Sequence, residues 1–193
     1  VDVLITVPST VLRVKTIMPE GIKTLDLKLL INCGEPLHLD ILDYSLKLAK
    51  QGEVYNFYGS TEVAPWTFFH HCRQSDVESF DEMGYAPIGT LLPGNEMKLD
   101  PQTSELLISG PQLTAGYLGH RDEDKFQSID GIRWYRTGDK VVKFKRVYFC
   151  KGRLDSQIKL AGYRIEILDI EAHLRTLPKV KSAICFVDPT LGQ

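Results

Sequence analysis

In the N-terminal part of the chain, short apolar runs alternate with stretches whose hydrophobic residues recur at helical spacing. Val1 to Thr6 reads as a buried strand. Pro8-Ser9-Thr10, continued by Val11, Leu12 and Lys15, reads as a helix start with the serine or threonine as N-cap. Leu25 to Asn32 is a second apolar run, ended by Cys33-Gly34-Glu35-Pro36. Leu37 to Lys50 sets Leu39, Leu42, Leu46 and Ala49 on one helical face, with Gly52 as its stop, and Glu53 to Phe57 is a third strand. Strands alternating with helices predict an α/β arrangement on a parallel sheet.

Beyond Trp66 the pattern shortens. Trp66 to Cys72 alternates as a strand does, and Gln74 to Met83 reads as a polar connection. From Tyr85 onward, glycine and proline punctuate short strands: Asn95 to Leu99, Glu105 to Ser109, Ile132 to Thr137, Lys140 to Phe144 and Val147 to Lys151, with a helix near Asp122 to Phe126. Such spacing predicts a β-sandwich or small barrel. Past Lys151 the reading is a strand at Gln157 to Lys159, a turn at Gly162, a helix from Glu166 to Leu174 and a strand from Val180 to Val187. Breaks near Gly84 and at Lys151 to Asp155 divide the chain into an α/β portion (1–83), a β-barrel-like portion (84–152) and a truncated α+β unit (153–193). The start at Val1-Asp2-Val3, without an initiator methionine, and the stop at Gln193 within that unit lead us to expect a piece of a longer polypeptide.

Composition narrows the function classes. With 43% hydrophobic and 25% charged residues and a net charge of -2, nothing marks a nucleic-acid binder, and the densest basic run, Lys143 to Arg146, reads as a solvated loop or edge strand. No apolar run approaches the roughly 18 residues of a membrane span. Cys33, Cys72, Cys150 and Cys185 form no Cys-x-x-Cys pair, so thiols in a reducing compartment are expected. His70-His71-Cys72 cannot easily converge on one ion, because neighbours on a strand face opposite ways.

Candidate chemistry gathers at Asn56-Phe57-Tyr58-Gly59-Ser60-Thr61-Glu62. A glycine and hydroxyls just past a strand end let backbone amides approach a phosphate, and the carboxylate can hold the accompanying metal. A plain strand-turn fits the same composition. Gly34-Glu35 and Gly59-Ser60 end neighbouring candidate strands, at the sheet edge where ligands bind in open α/β folds. Tyr135-Arg136-Thr137-Gly138-Asp139 offers a carboxylate able to grip vicinal ribose hydroxyls, although a turn aspartate satisfying its own backbone fits too. Gly152-Arg153-Leu154-Asp155 sets a guanidinium fork beside a possible hinge acid, or a surface ion pair. Glu105 to Gly110 with Gly116-Tyr117 reads as structural. Gln157 to Glu166 joins a strand lysine, a turn glycine and an acid opening a helix.

In order and spacing these segments resemble the adenylate-forming superfamily of acyl-CoA synthetases, luciferases and nonribosomal-peptide-type adenylation domains, from Val1 to Gln193. Asn56 to Glu62 is similar to its fifth core motif, Glu105 to Tyr117 to the sixth, Tyr135 to Asp139 to the seventh and Gly152 to Glu166 to the eighth. Trp134-Tyr135-Arg136, Leu154 and Gly162-Tyr163-Arg164-Ile165-Glu166 resemble amino-acid-activating domains and D-alanine–carrier protein ligases more than acyl-CoA synthetases. Ser60 stands where a proline is frequent, and Lys143 to Arg146 where a tight glycine turn is usual. The fold implied is part of the large subdomain, a parallel sheet with helices plus a small distorted β-barrel, followed by the start of the small α+β C-terminal subdomain.

The resemblance also implies a two-step reaction in the cytoplasm. A carboxylate attacks the α-phosphate of ATP with magnesium, and a carrier protein's phosphopantetheine thiol then takes the acyl group. By the same resemblance Gly34, Glu35, Pro36, Asn56, Phe57, Tyr58, Gly59, Ser60 and Thr61 bind the nucleotide, with Tyr58 on adenine and Asp139 and Arg153 on the ribose. Thr61, Glu62 and Lys159 are catalytic, with Glu62 on magnesium. Asp155 is the hinge, and Lys159 and Gly162 serve the thiol-transfer state. Thr6, Ile31, Cys33, Phe57, Pro65 and Trp66 line a substrate pocket suited to a small or flat apolar side chain. Neither the glycine-rich phosphate loop nor the late glycine-lysine motif is present, so this chain alone is expected to adenylate poorly or not at all. Acyl-CoA ligation and a silent adenylation-like scaffold are the alternatives.

Overall fold

The computed structural model describes residues 2–18, 27–119, 123–155, 157–160, 163–180 and 182–186. Strands β1 (Val3–Thr6), β2 (Leu29–Cys33) and β3 (Glu53–Tyr58) run parallel, and β4 (Phe68–Cys72) and β5 (Thr90–Leu91) extend the sheet antiparallel in the order β1-β2-β3-β4-β5. Helices α1 (Pro8–Ile17) and α2 (Leu39–Leu48) follow β1 and β2. They cover the face carrying Leu4, Leu30, Val54 and Cys72, where Val11, Leu42 and Leu48 complete the core. The predicted parallel α/β unit is therefore present, with two antiparallel strands added.

Local chemistry explains the boundaries. α1 begins with Pro8 in its first turn, where a missing N–H costs nothing. Its N-cap is Val7 without a side-chain bond, not the expected serine or threonine. The Ser9 amide instead donates to Glu35 Oε2 at 2.8 Å and the Ser9 hydroxyl to Oε1 at 3.1 Å, so an acid from the loop after β2 caps the helix remotely. Gly52 is required because a Cβ there would stand 2.1 Å from the Leu27 carbonyl oxygen.

Residues 74–83, read from sequence as a connection, form α3 (Gln74–Ser79) and a 3-10 turn. The helix is too short for a periodic signal. It is held by Asp76, whose Oδ2 accepts the Arg73 amide at 2.7 Å and sits 3.0 Å from His70 Nε2.

The second sheet runs β10-β9-β7-β6, from β6 (Glu96–Leu99), β7 (Glu105–Ser109), β9 (Ile132–Phe144) and β10 (Val147–Arg153), with β8 (Phe126–Ile129) also paired to β9. The two strands expected between Ile132 and Phe144 are one bent strand. The helix expected near Asp122 shrinks to a 3-10 turn at Glu123–Lys125 before β8. Among the described residues the sheet does not close into a barrel. Phe149 of β10 is buried in the first core, so the β9–β10 hairpin packs the two sheets together. Lys143 to Arg146 forms its solvent-facing end, as expected of a basic edge.

Past Asp155, β11 (Gln157–Leu160) and β12 (Tyr163–Glu166) pair as a hairpin and α4 (Ile167–Arg175) follows. Residues 182–186 form no strand, contrary to the reading of Val180 to Val187, and Val187 lies outside the described residues, as does Gly162.

Candidate functional site

A cavity of about 200 Å³ opens at the carboxyl ends of β2 and β3. Gly34, Glu35 and Pro36 form one wall, Asn56 to Gly59 another, and Asp139, Gly152 and Arg153 the third. Tyr85, Ile88 and Cys150, none of them expected at a site from sequence, also line it, as do Gln157 and Ile158 from the segment similar to the eighth core motif.

Asp139 is placed by two breaks in the ladder around it. β9 shifts register against β7 between Glu105 and Leu107, and β10 shifts against β9 between Cys150 and Arg153. Gly138 (φ 73°) and Gly152 (φ 113°) supply the left-handed backbone those bulges need. Buried Glu105 fixes the turn, accepting the Gly138 amide at 2.9 Å through Oε1 and the Arg136 guanidinium through Oε2. Thr137 Oγ1 donates to the Leu106 carbonyl and accepts the Asp139 amide.

The polar groups then form a chain. The Tyr58 hydroxyl donates to Asp139 Oδ2 at 2.5 Å, and Arg153 Nη1 donates to Asp139 Oδ1 at 3.0 Å. Arg153 also forks onto Asp155, Nε to Oδ1 at 2.7 Å and Nη2 to Oδ2 at 2.6 Å. Asp155 accepts Lys125 Nζ and the Gln157 amide as well, both at 3.2 Å. Burial, then the charge of Asp139, pushes the Tyr58 hydroxyl well above the usual phenol range, so it remains a donor. Burial alone would raise Asp155, but the hydrogen bonds and charge of Arg153 prevail and hold it at about 2. A carboxylate offers about four acceptor positions, and Tyr58 and Arg153 take two at Asp139, which leaves capacity for a vicinal diol.

Other residues fall elsewhere. Asn56 lines the cavity, but its amide nitrogen donates to the Pro87 carbonyl at 2.9 Å. The Glu35 carboxylate is engaged with α1 while its backbone lines the wall. Gly59 lies against the Pro65 carbonyl, 2.1 Å from where a Cβ would stand. Ser60 precedes the 3-10 turn Thr61–Val63, and its buried hydroxyl has no hydrogen-bond partner among the described residues. Thr61 is exposed beside it. Glu62 is 4% exposed and its Oε1 accepts the Tyr117 hydroxyl at 2.5 Å, a contact the sequence reading missed. Lys159 lies on β11.

Of the pocket residues, Ile31, Cys33 and Phe57 share the sheet face away from the helices, Cys33 being the register partner of Phe57. Trp66 joins them, its ring 4.9 Å from Phe57, with Pro65 exposed just before it. Thr6 pairs in register with Asn32, which puts it on the opposite face. Among the described residues no helix is long and apolar enough to cross a membrane, and no cluster of three or more metal-ligating side chains converges.

Against known proteins, the AMP-binding enzyme family matches residues 1–118. The D-alanine–D-alanyl carrier protein ligase of Bacillus velezensis is 35% identical over 164 residues, covering 79% of this chain and 32% of that protein. Its counterpart in Bacillus anthracis is 32% identical over 173 residues, 82% of this chain and 33% of the ligase. The chain thus spans about a third of the length of the curated relatives it matches. The Vibrio cholerae adenylation domain AlmE, in complex with glycyl-adenosine-5'-phosphate, superposes with a TM-score of 0.83 at 28% identity, over 94% of this chain and 37% of that one. PA1221, an NRPS protein containing adenylation and PCP domains, shares the fold with a TM-score of 0.82 at 24% identity, over 94% of this chain and 33% of that one.

Proposed function

This chain belongs to the AMP-binding enzyme family, and from that premise we propose that its parent activates a small amino acid as an aminoacyl adenylate and transfers it to a carrier-protein thiol. The convergence of Tyr58, Asp139 and Arg153 on one cavity at the ends of parallel strands supports this reading most. Tyr58 offers its ring to adenine, opposite Gly34 to Pro36, and Asp139 takes the ribose hydroxyls on its remaining acceptor positions. In the first step a carboxylate oxygen of the amino acid attacks the α-phosphorus and the bond to pyrophosphate breaks. Thr61 donates its hydroxyl to the α-phosphate. In the second step the thiol sulfur attacks the acyl carbon and AMP leaves.

Magnesium, when bound, offsets the charge of the phosphates. Glu62 fits that cation: it is a buried carboxylate, among the described residues no group of three or more ligating side chains converges, and magnesium takes one or two carboxylates and fills its shell from phosphates and water. Asp155 serves as the hinge, and Lys159 and Gly162 belong to the thiol-transfer state. Phe57 and Trp66 narrow the substrate space, in keeping with the alanine and glycine handled by the two kinds of relative. ATP as cosubstrate and a carrier protein as acceptor are in keeping with the cytoplasm.

The test is amino-acid-dependent ATP–pyrophosphate exchange by the full-length protein, followed by transfer to a pantetheinylated carrier against free coenzyme A. Glycine or alanine should give the strongest exchange and the carrier should be the better acceptor. Preference for a large charged amino acid, or for coenzyme A, overturns the assignment. The 193-residue chain alone should give no exchange, because no glycine-rich phosphate loop is present in it.

A further inference from the structure

We propose that Tyr117 is the positioning residue of Glu62, its hydroxyl fixing the carboxylate in the orientation that receives the cation. The proposal rests on the assignment of Glu62 to magnesium.

Glu62 stands on a single 3-10 turn of three residues that has no side-chain cap and ends at Ala64 with φ 50°. So short an element cannot orient a buried carboxylate by itself. The segment after β7 does so from outside: the Thr114 amide donates to the Glu62 carbonyl at 2.8 Å, and the Tyr117 hydroxyl donates to Oε1 at 2.5 Å. That segment is anchored in turn. Arg133 Nη1 and Nη2 donate to the Thr114 and Ala115 carbonyls at 2.5 and 2.9 Å, and the Tyr117 ring lies 5.6 Å from Phe126, over which the Arg133 guanidinium sits at 4.2 Å.

The kind of donor matters. A lysine or arginine at this place would neutralise Glu62 and weaken its hold on a cation. A phenol orients one carboxylate oxygen and leaves the negative charge.

The experiment is calorimetric titration of ATP into the full-length protein at stepped magnesium concentrations, for the wild type, Tyr117→Phe, Arg133→Gln, Glu62→Gln and the Tyr117→Phe/Glu62→Gln pair. Tyr117→Phe keeps the ring on Phe126. It should raise the magnesium concentration for half-maximal ATP binding by about tenfold, the size expected for one lost hydrogen bond to a charged group. In exchange kinetics kcat should fall while KM for the amino acid holds. Arg133→Gln should shift the magnesium dependence in the same direction by a smaller factor, and the double variant should match Glu62→Gln. If Glu62→Gln shifts the magnesium dependence while Tyr117→Phe and Arg133→Gln only lower the melting temperature, the positioning role is wrong and the Glu62 assignment stands. If Glu62→Gln leaves the dependence unchanged, that assignment fails and this inference with it.

Discussion

Tyr58 shows how one residue can serve two purposes. Its ring contributes to the wall of the cavity while its hydroxyl neutralises part of the hydrogen-bonding demand of a buried carboxylate, and the two can be separated. Tyr58→Phe should cost about 1.5–3 kcal/mol of stability in urea melts, the usual value of a hydrogen bond to a charged group, yet keep AMP affinity within a few-fold. Tyr58→Ala should lose AMP affinity by tenfold or more in calorimetry, since stacking on a base is worth about 1–3 kcal/mol. The ring's place was expected from the resemblance of Asn56 to Glu62 to a family motif, whose residues lie together in the sequence. The hydroxyl's partner was not, because Asp139 lies 81 residues away and only the fold sets their distance.

At the scale of elements, the β9–β10 hairpin turns where the sequence placed its solvated basic run, yet without the glycine usual there. Val147 pairs directly with Phe144, so Lys145 and Arg146 alone make the turn, with φ 45° and 72°. Two-residue turns of this hand favour asparagine and glycine, and each L side chain there costs about 1–2 kcal/mol. Lys145 is partly compensated by a 2.9 Å hydrogen bond to the Ser79 carbonyl, whereas Arg146 is simply exposed. Arg146→Gly should therefore stabilise the chain by about 1 kcal/mol in urea melts, with nucleotide affinity unchanged. The absence of the usual glycine was visible in the sequence, but the left-handed strain it produces was not. In the same way α3 escaped notice, because its six residues are held by Asp76 and His70 rather than by helical periodicity.

For the whole molecule, Asp155 is the point where three separated segments meet: Lys125 before β8, Arg153 at the end of β10 and Gln157 at the start of β11. Its folded pKa of about 2 lies below the ordinary 3.8, so its contribution is fully present above about pH 4 and is lost as pH falls through 2. Urea melts of wild type and Asp155→Asn should differ at pH 5 and converge by about pH 2; a difference that persists unchanged at pH 2 would mean the ion pair is not its source. By itself the sequence determined the strand-helix alternation, the parallel strands, the glycine turns and the family, since each is written in residues close together along the chain. Only the tertiary structure decided that Glu62 is held by Tyr117, that Glu35 caps α1, that Thr6 faces away from Phe57, and that the second sheet stays open among the described residues. Those outcomes depend on strand register and on contacts between segments far apart along the chain, and no local pattern records which partner then comes within reach.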